Sequence, residues 1–483
     1  MKLVVLNSFS RLEGDVSADV SQLLTEVMTY KNDIEAERGQ IFYQMKAAKD
    51  KNDWRTYHAS KAALAKLEAS EYVCLFKNQE FPTGLLNMAI AALQALNAPF
   101  ELDDRRLSPG ETAIMRWNNA PWNPRYYQEE MIKLGLESGR GVFEAAVGTG
   151  KSLVMAYLIK ANSCKSLVIV PSRGLSGQLH RDFSSWFGAQ NVELLDAQKI
   201  RKLKTPKAIS IVTVQSLGSL VKSGEFAAFA KHIDAVYVDE VHHAGASTYT
   251  NLLADLDHVY YRYGFSGTFL RNDSKTLEMW SFLSNVLYEY PAWKAIEEKM
   301  LTPVEVFMHS MDGRQNYKYQ KEYDLNYCDN PQLLEKLGTL VQTYQGAQML
   351  ILVNKKDKCG LVIHEYLKSV GIDSAYISGD NDKDEINDTI SAFNEKRIGI
   401  LIGSSVIGEG IDVRSTDHLF MCQGGKSEIT MVQAAGRVLR LYEGKSLARI
   451  HDFRFENTRY MIKHADAREE IYVRNFRCPV IHL

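Results

Sequence analysis

The sequence predicts an α/β protein in which two successive parallel-sheet lobes follow a smaller N-terminal α/β region. At about 150 residues per domain, the 483 residues correspond to roughly three domains. From about residue 120 to 290, short β-branched runs alternate with helical patterns, as in buried sheets built from βαβ units. From about 305 to the end, the same rhythm repeats. The strand-like runs are GVFEAAV, SLVIVP, AISIVTV, AVYVDE and RYGFSG in the first lobe, and MLILVN, SAYISG, IGILIGS, HLFMCQ and LARIHDF in the second.

These changes of pattern divide the chain into an N-terminal domain, a first lobe and a second lobe, at residues 1–115, 116–300 and 301–483. The segment AWKAIEEKMLTPVEV (292–306) is interpreted as the crossing between the lobes. Residues 31–69 contain no proline, and apolar residues recur there at helical spacing on both sides of a polar turn at 50–53. This pattern predicts two charged helices. After them, EYVCLFKNQ predicts a strand and residues 85–96 predict a helix.

The composition is that of a folded protein with an ordinary apolar core. Apolar residues make up 45% and charged residues 24%, which excludes disordered, collagenous and disulfide-stapled classes. No apolar run approaches the ~20 residues of a membrane span, and the N-terminus lacks the pattern of a secretion signal. The six cysteines form no CxxC pair, so we expect neither a zinc site nor a disulfide framework. A reducing, cytoplasmic setting is therefore expected, the host cytoplasm if the protein is viral.

A glycine-rich loop in the first lobe predicts a phosphate-binding site. The strand GVFEAAV leads into Gly148-Thr149-Gly150-Lys151-Ser152 and then into an apolar helix. Backbone N–H groups of such a loop, with a helix N-terminus behind them, form a nest for phosphate oxygens. In this arrangement Lys151 would reach the β- and γ-phosphates, and the Ser152 hydroxyl would bind Mg²⁺. Ala145 stands where the usual pattern has its first glycine, and a turn that binds nothing is the alternative.

A pair of carboxylates at the end of an apolar strand predicts the acidic part of the same site. In AVYVDEVHH, Asp239 and Glu240 follow the strand directly. Hydrolysis of a phosphate ester needs one carboxylate to hold Mg²⁺ and a second group to position or deprotonate water. We assign Asp239 to the first role and Glu240 to the second. The alternative is a solvated strand end without function.

The ordered motifs resemble those of superfamily 2 helicases, and in particular of the phage UvsW-type DNA helicases. The resemblance covers about residues 120–483. It is carried by Arg125–Gln128 (Q motif), Ala145–Ser152 (I), Val170–Arg173 with Gln178 (Ia), Thr213–Ser216, Asp239–His242 (II), Ser266–Thr268 (III), Asn354–Lys358 (IV), Tyr376–Asp380, Ser404–Asp412 (V) and Gln433–Arg440 (VI). The N-terminal strand-turn-helix is a weaker match, and residues 31–69 depart from the family pattern.

The resemblance implies two RecA-like lobes that bind ATP and Mg²⁺ between them. It assigns Gln128 to adenine recognition, and it adds Gly410 and Asp412 to the nucleotide-binding residues Gly148 to Ser152. The catalytic residues that follow are Lys151, Asp239, Glu240, Gln433, Arg437 and Arg440. Arg437 and Arg440 are three residues apart, so on a helix both would face one side. An arginine at the γ-phosphate stabilises the transition-state charge. The alternative is a helix with two exposed surface arginines.

Contacts with nucleic acid are expected from hydroxyl, amide and backbone groups that follow the strands. The candidates are Arg173, Thr213, Gln215, Ser378, Gly379 and Ser405. Such groups bind phosphates without reading sequence, although each alone is also a common turn residue. The net charge of −2 means that nucleic-acid binding must come from local clusters. A richer basic surface is expected near the C-terminus from Arg449, Arg454, Arg459, Lys463, Arg468, Arg474 and Arg477, although the acidic neighbours Asp466, Glu469 and Glu470 dilute it.

Together these features predict an ATP-dependent DNA helicase or translocase that acts on forked, branched or single-stranded DNA in replication, recombination or repair. The branch preference comes from the resemblance alone. An RNA helicase and a non-motor ATP-gated binding module are the alternatives. We expect a monomer with no membrane contact and with replication or recombination proteins as further partners. The helices at 31–69, which are rich in lysine, are expected to contact DNA or wedge a fork, with a solvated hairpin as the alternative.

Overall fold

The structure is a computed structural model that describes all residues except 33, 114, 242–251, 253–254, 269–273, 355, 405–412 and 414. In the described residues, an N-terminal α/β unit precedes two lobes, each built on a parallel sheet with helices on its faces. This arrangement confirms the predicted fold class. Among the described helices, none combines the length and the apolar character that crossing a bilayer requires.

The N-terminal unit is a small mixed sheet covered by helices. Its elements are β1 (Lys2–Val5), β2 (Phe9–Glu13), α1 (Ala18–Val27), β3 (Thr29–Lys31), α2 (Glu35–Asp50), α3 (Trp54–Ala69), β4 (Tyr72–Cys74), β5 (Glu80–Pro82), a 3₁₀ turn (Thr83–Leu85), α4 (Leu86–Ala95) and β6 (Glu101–Asp104). The sheet has the order β5-β2-β1-β6, and β3 pairs with β4 at the base of the α2–α3 hairpin. The strand predicted from EYVCLFKNQ is shorter than expected, since β4 ends at Cys74. Later in the same segment, Asn78 and Gln79 adopt left-handed turn conformations.

The described residues of the first lobe form a sheet of seven parallel strands. Its elements are α5 (Tyr126–Ser138), β7 (Arg140–Ala145), α6 (Lys151–Asn162), β8 (Ser166–Val170), α7 (Arg173–Phe187), β9 (Val192–Leu195), α8 (Ala197–Lys202), β10 (Ile209–Thr213), α9 (Val214–Lys222), α10 (Phe226–Ala230), β11 (Ala235–Asp239), β12 (Tyr261–Ser266), α11 (Ser274–Leu283), β13 (Val286–Tyr290) and α12 (Ala292–Glu297). The strand order is β13-β7-β12-β11-β8-β10-β9. Every residue of β8 and β10 is buried, as expected for strands covered on both faces.

The second lobe repeats this construction. Its elements are β14 (Val304–Asp312), α13 (Tyr319–Tyr323), α14 (Pro331–Thr343), β15 (Met349–Val353), α15 (Leu361–Ser369), β16 (Ala375–Ile377), α16 (Lys383–Asn394), β17 (Ile400–Gly403), β18 (His418–Cys422), α17 (Glu428–Val438), β19 (Ala448–Glu456), α18 (Met461–Phe476) and β20 (Val480–His482), with π-helical turns at Asp324–Cys328 and Lys356–Gly360. The strand order is β16-β17-β15-β18-β19-β14-β20, and all pairs are parallel.

Two features of the second lobe go beyond the sequence expectations. The structure joins Cys328 and Cys359 in a disulfide, although their spacing gave no sign of pairing. The two π-helical turns that carry them border the same apolar cluster, which brings the two sulphurs together. The expected basic C-terminal surface is also largely neutralised. Arg468 is fully buried and donates from Nε and Nη2 to the Asp452 carboxylate, each at 2.8 Å.

Other members of that basic set are paired on the surface. Arg454 bridges to Asp466 and Glu456, Arg474 to Glu428, and Arg449 to Glu305. The Arg477 guanidinium lies 3.4 Å from the ring centroid of Trp293. Most basic side chains of this C-terminal set are therefore paired with carboxylates or stacked on an aromatic ring.

The N-terminal unit is docked directly on the first lobe. A Cβ atom at Gly84 would lie 1.9 Å from the carbonyl oxygen of Trp280 in α11, so the two backbones touch where only glycine fits. Tyr30 donates a hydrogen bond to the buried Glu278 carboxylate on the same helix. Arg140 at the start of β7 donates from Nη2 to the carbonyl of Asn7 (2.7 Å). These contacts make the unit part of the first lobe's surface.

Replacing Gly84 with alanine is expected to destabilise the protein, because the added methyl group collides with main-chain atoms of α11. Overpacking of this kind costs about 1–3 kcal/mol, which lowers the thermal midpoint by several degrees, measured by calorimetry or circular dichroism. Gly39→Ala is the matched control: no atom lies within 4 Å of a Cβ there, and α2 is exposed at this point. A Gly84→Ala protein as stable as Gly39→Ala would contradict the docking.

Candidate functional site

The glycine-rich loop adopts the conformation of a phosphate nest at the carboxyl edge of the first sheet. Gly148 and Gly150 have φ angles of 89° and 83°, which side chains with a Cβ rarely adopt. Gly150 is the N-cap of α6, so the N–H groups of the first helical turn point into the loop. Thr149 Oγ1 donates to the carbonyl of Ala146 (2.6 Å) and closes the turn. The loop is shaped to receive an anion before any ligand is present.

Two side chains of α5 brace this loop from behind. The Gln128 amide accepts from the Arg125 N–H (2.8 Å) through Oε1 and donates from Nε2 to the carbonyl of Thr149 (2.8 Å). The same carbonyl accepts from the Tyr127 hydroxyl (2.9 Å). A Cβ at Gly150 would lie 2.5 Å from Gln128 Nε2, so the amide sits tightly against the loop. Both ends of the Gln128 amide are engaged within the chain, and its assignment to adenine stays a prediction.

The acidic pair lies beside the loop lysine. Lys151 Nζ donates to the carbonyl of Ala145 (3.0 Å) and lies 4.0 Å from Glu240 Oε1. Glu240 follows β11 with a φ of 46°, and its Oε2 accepts from the Gly267 N–H (3.2 Å). Its own N–H donates to Asp239 Oδ1 (3.0 Å). The loop after β7 and the ends of β11 and β12 therefore converge on one small volume.

The electrostatics of this pair suit a divalent cation. Burial raises the pKa of Asp239 above its usual value, the Glu240 carboxylate raises it further, and Lys151 opposes both effects. A cation bound between the carboxylates and the Ser152 hydroxyl would stabilise their charged forms, and Mg²⁺ prefers such oxygen ligands. Within the described residues, no cluster of three or more His, Cys, Asp or Glu side chains could hold a metal ion by itself. This donor set fits Mg²⁺ that completes its coordination with phosphate and water oxygens.

The second lobe contacts the loop through α17. A Cβ at Gly436 would lie 2.4 Å from Val147 Cβ, so only glycine allows this helix to approach the loop. On the other side of the contact, a Cβ at Gly148 would lie 3.4 Å from Arg440 Cγ and 3.3 Å from Leu301 Cδ2. The segment that carries Arg437 and Arg440 is thereby placed directly over the phosphate nest. Motif VI of the second lobe and motif I of the first are expected to lie together in this way.

The helical relation expected for the two arginines is wrong in one respect. Arg437 lies in the last turn of α17 and is 6% exposed, but the helix ends at Val438 and Arg440 follows the capping residue Leu439. The helix stops there because the chain turns to pair its carbonyls with residues outside the helix, including the N–H of Thr302. Gln433 is one turn before Arg437 on the same helix and is partly buried.

The candidate nucleic-acid contacts lie near the carboxyl ends of strands in both sheets. Arg173 begins α7 after β8 and is exposed, and Gln215 is exposed in the first turn of α9. Thr213 caps α9 by accepting from the Ser216 N–H (3.3 Å). Ser378 follows β16 and accepts from the Asp380 N–H (3.3 Å), with Gly379 exposed beside it. The hydroxyls of Thr213 and Ser378 therefore form hydrogen bonds within local turns. Their contact with a nucleic-acid strand stays a prediction.

Several predicted residues lie outside the described part of the chain. Ser405, Gly410 and Asp412, with most of motif V, are among these, and so is His242 of motif II. Their assignments stay predictions. Two residues at the site were missed by the sequence reasoning, Tyr127 and Val147. Tyr127 stood inside the quoted Q motif, and Val147 is a loop position whose importance arises only from its contact with Gly436.

Two family models match parts of this chain. Residues 122–271 match the family described as type III restriction enzyme, res subunit, and residues 332–442 match the helicase conserved C-terminal domain. The ATP-dependent DNA helicase uvsW of Enterobacteria phage T4 is 23% identical over 351 residues, which cover 68% of this chain and 68% of that protein. The DNA 3'-5' translocase XPB2 of Sulfurisphaera tokodaii is 19% identical over 368 residues, which cover 67% of this chain and 80% of that protein.

The curated relatives that align over more than 300 residues are covered by this chain over 51–80% of their own length. Among solved structures, the ATP-dependent Type ISP restriction-modification enzyme LlaBIII bound to DNA matches with a TM-score of 0.56 at 15% identity. That match covers 82% of this chain and 34% of the enzyme. At this identity it shows the fold alone, two tandem RecA-like lobes.

Gly436→Ala is expected to lower ATP hydrolysis at least about tenfold while the protein remains folded, because the new methyl group forces α17 away from Val147 and displaces the arginines. The steady-state rate at saturating ATP is the measurement, with circular dichroism as a check of folding. Gly218→Ala is the matched control, a helical glycine of α9 with no atom within 4 Å of the added Cβ. Equal rates for the two variants would show that the loop–α17 contact is dispensable.

Proposed function

This chain belongs to superfamily 2 of the helicases, and we propose that it uses ATP to unwind or branch-migrate forked or branched DNA in replication, recombination or repair. The observation that carries the proposal is the packing of Gly436 and Arg440 on the loop formed by Val147 and Gly148. It brings charged groups of the second lobe close to the glycine-rich loop of the first. The name of the phage relative, a DNA helicase, supports DNA as the substrate.

Each residue of the site has a role that its contacts support. The loop N–H groups and Lys151 bind the phosphates, while Gln128 holds the loop in shape and is proposed to read adenine. Asp239 and Ser152 would hold Mg²⁺, which neutralises phosphate charge when bound. Glu240 is oriented by the Gly267 N–H and is proposed to position water and accept its proton.

The groups of the second lobe act on charge that develops during hydrolysis. Arg437 and Arg440 are proposed to stabilise the transition state at the γ-phosphate, and Gln433 to orient water or detect that phosphate. In the same proposal, Gly410 and Asp412 complete the nucleotide site. Because these groups belong to a different lobe from the loop, bound ATP favours the closed arrangement by its differential affinity for it.

Movement along nucleic acid would follow from this closure. Arg173, Thr213 and Gln215 of the first lobe, and Ser378, Gly379 and Ser405 of the second, are proposed to bind the sugar-phosphate backbone. The described members of both sets lie at or just after the carboxyl ends of strands. Opening and closing the lobes would then change the distance between the two sets of contacts on one nucleic-acid strand.

We also propose that the N-terminal unit is a substrate-binding domain and that the α2–α3 hairpin contacts DNA. The two helices pack on each other through a seam that buries Ala48 and Ser60, and most of their other residues are exposed. The turn end, residues 46–61, carries five basic residues, Lys46, Lys49, Lys51, Arg55 and Lys61, against Asp50 and Asp53. Tyr43 and Trp54 are 76% and 54% exposed, which suits stacking on unpaired bases.

Glu240→Gln is expected to reduce ATP turnover by at least about 100-fold, since an amide cannot accept the proton from water. Turnover is measured with forked DNA, single-stranded DNA and RNA as activators, and strand displacement is measured on the fork. Glu289→Gln, an exposed carboxylate of β13, is the matched control and should match the parent. Undiminished turnover in both Glu240→Gln and Lys151→Ala would refute the motor assignment, and stronger activation by RNA than by DNA would make it an RNA helicase.

Replacing Lys46, Lys49 and Lys51 with alanine is expected to weaken fork binding and to make the negative slope of log K against log[salt] shallower by up to about 2–3, because each phosphate contact contributes about −0.9 to that slope. Binding is measured by fluorescence anisotropy at several salt concentrations. The matched triple variant replaces the exposed lysines Lys222, Lys231 and Lys368 on the two lobes. If both triple variants bind alike, the hairpin is a solvated structure without a role in DNA binding.

A further inference from the structure

The backbone just beyond α17 is held by a partly buried lysine from the following turn. Lys445 donates hydrogen bonds from Nζ to the carbonyls of Val438 and Thr416, and a longer one to the carbonyl of Arg440 (3.4 Å). An ammonium group has three N–H donors, so all of them are directed at main-chain oxygens. One of the three acceptors, the carbonyl of Val438, is at the end of the helix that carries Arg437, and another belongs to Arg440 two residues beyond it.

The same backbone is held from the other side by the connection between the lobes. Thr302 is fully buried between α12 and β14. Its N–H donates to the carbonyl of Leu439 (2.8 Å), and its hydroxyl donates to the carbonyl of Arg440 (3.1 Å). The consecutive carbonyls of residues 438, 439 and 440 are therefore each bound by Lys445, Thr302 or both. The backbone of Arg440 cannot shift without breaking several of these bonds.

Keeping a cation in this position costs desolvation energy. Burial lowers the pKa of Lys445 to about 8, and Asp417 acts in the opposite direction. Asp417 itself accepts a hydrogen bond from Tyr442, whose ring centroid lies 5.2 Å from Lys445 Nζ. A charge near the end of α17 also interacts favourably with the helix dipole. A buried charge is retained in a protein when its hydrogen bonds compensate for the lost water, as the three carbonyls do here.

We propose that Lys445 and Thr302 are positioning residues that fix Arg437 and Arg440 over the phosphate loop. The inference rests on the proposed function, in which these arginines act on the phosphates of ATP. A guanidinium group stabilises a transition state well only if its backbone is held before the reaction, since displacement of about 1 Å can cost about 100-fold in rate. Thr302 belongs to the segment that joins the lobes, so relative movement of the lobes is transmitted to the arginine backbone.

The test is the steady-state ATPase of Lys445→Met, which preserves the length of the side chain and removes its charge. We expect kcat to fall at least about tenfold while the KM for ATP changes less than about twofold, because the lost positioning acts in the transition state. Lys445→Arg restores donors and charge and is expected to recover kcat to within about threefold of the parent. Lys396→Met is the matched control, since Lys396 stacks on the same Tyr442 ring at 5.0 Å from a different segment. It should behave as the parent.

Thr302→Val provides an independent variant, because it preserves the shape and the N–H while removing the hydroxyl donor. A fall in kcat of about threefold without a change in KM is expected for it. The inference is overturned if folded Lys445→Met has the parental kcat, or if Lys445→Met and Lys445→Arg lose kcat equally. If Lys445→Met fails to fold, a parental kcat in Thr302→Val overturns it. Arg437→Ala and Arg440→Ala are assayed in parallel. Parental turnover in both of these would refute the proposed function instead.

Discussion

The packing of α17 on the glycine-rich loop is the contact on which the rest of the site depends. Val147 and Gly436 come from different lobes and are separated by almost 300 residues, yet the helix approaches so closely that no Cβ fits at position 436. The same apolar cluster extends from Ala145 and Ala146 through Leu301 to Met431 and Val438. The lobes therefore share a dry surface beside the nucleotide site. Water is excluded there, which strengthens the electrostatic interaction of any charge placed between them.

The N-terminal unit is held to the first lobe by buried polar contacts as well as by apolar packing. Arg262 is fully buried, donates to the carbonyl of Leu256 (2.7 Å) and also donates to the Ser8 hydroxyl. Its guanidinium carbon lies 4.9 Å from the ring centroid of Phe282 in α11. Separating the unit from the lobe would expose apolar surface and deprive the buried guanidinium of the Ser8 hydroxyl. The unit and the α2–α3 hairpin therefore move with the first lobe and not with the second.

The parts of the structure that could be predicted are those encoded by local sequence. Strands such as SLVIV and MLILV are buried on both faces, so their apolar runs are continuous and easy to detect. The loop around Lys151 was predictable because its glycines are required by backbone angles that other residues disfavour. The contacts of Thr302 were not predictable, because they join segments 138 residues apart, and those of Lys445 were not predictable, because a lysine that bonds to main-chain carbonyls leaves no spacing pattern. Arg468 was misjudged for the same reason, since its partner Asp452 lies on a different element.

Under the proposed function, hydrolysis and strand movement are coupled because described residues proposed for each of them lie at the carboxyl edges of the sheets. In parallel sheets, all strands end at the same edge, so loops from β7, β11 and β12 meet at the nucleotide while loops from β8 and β10 lie beside them. The loop–α17 contact lies between the edges of the two lobes and is too closely packed to deform gradually. A change in the charge at the phosphates would therefore favour one of two discrete lobe arrangements. The strand-end residues of the two lobes would move apart or together as each arrangement forms, which is the geometry that directed movement along a strand requires.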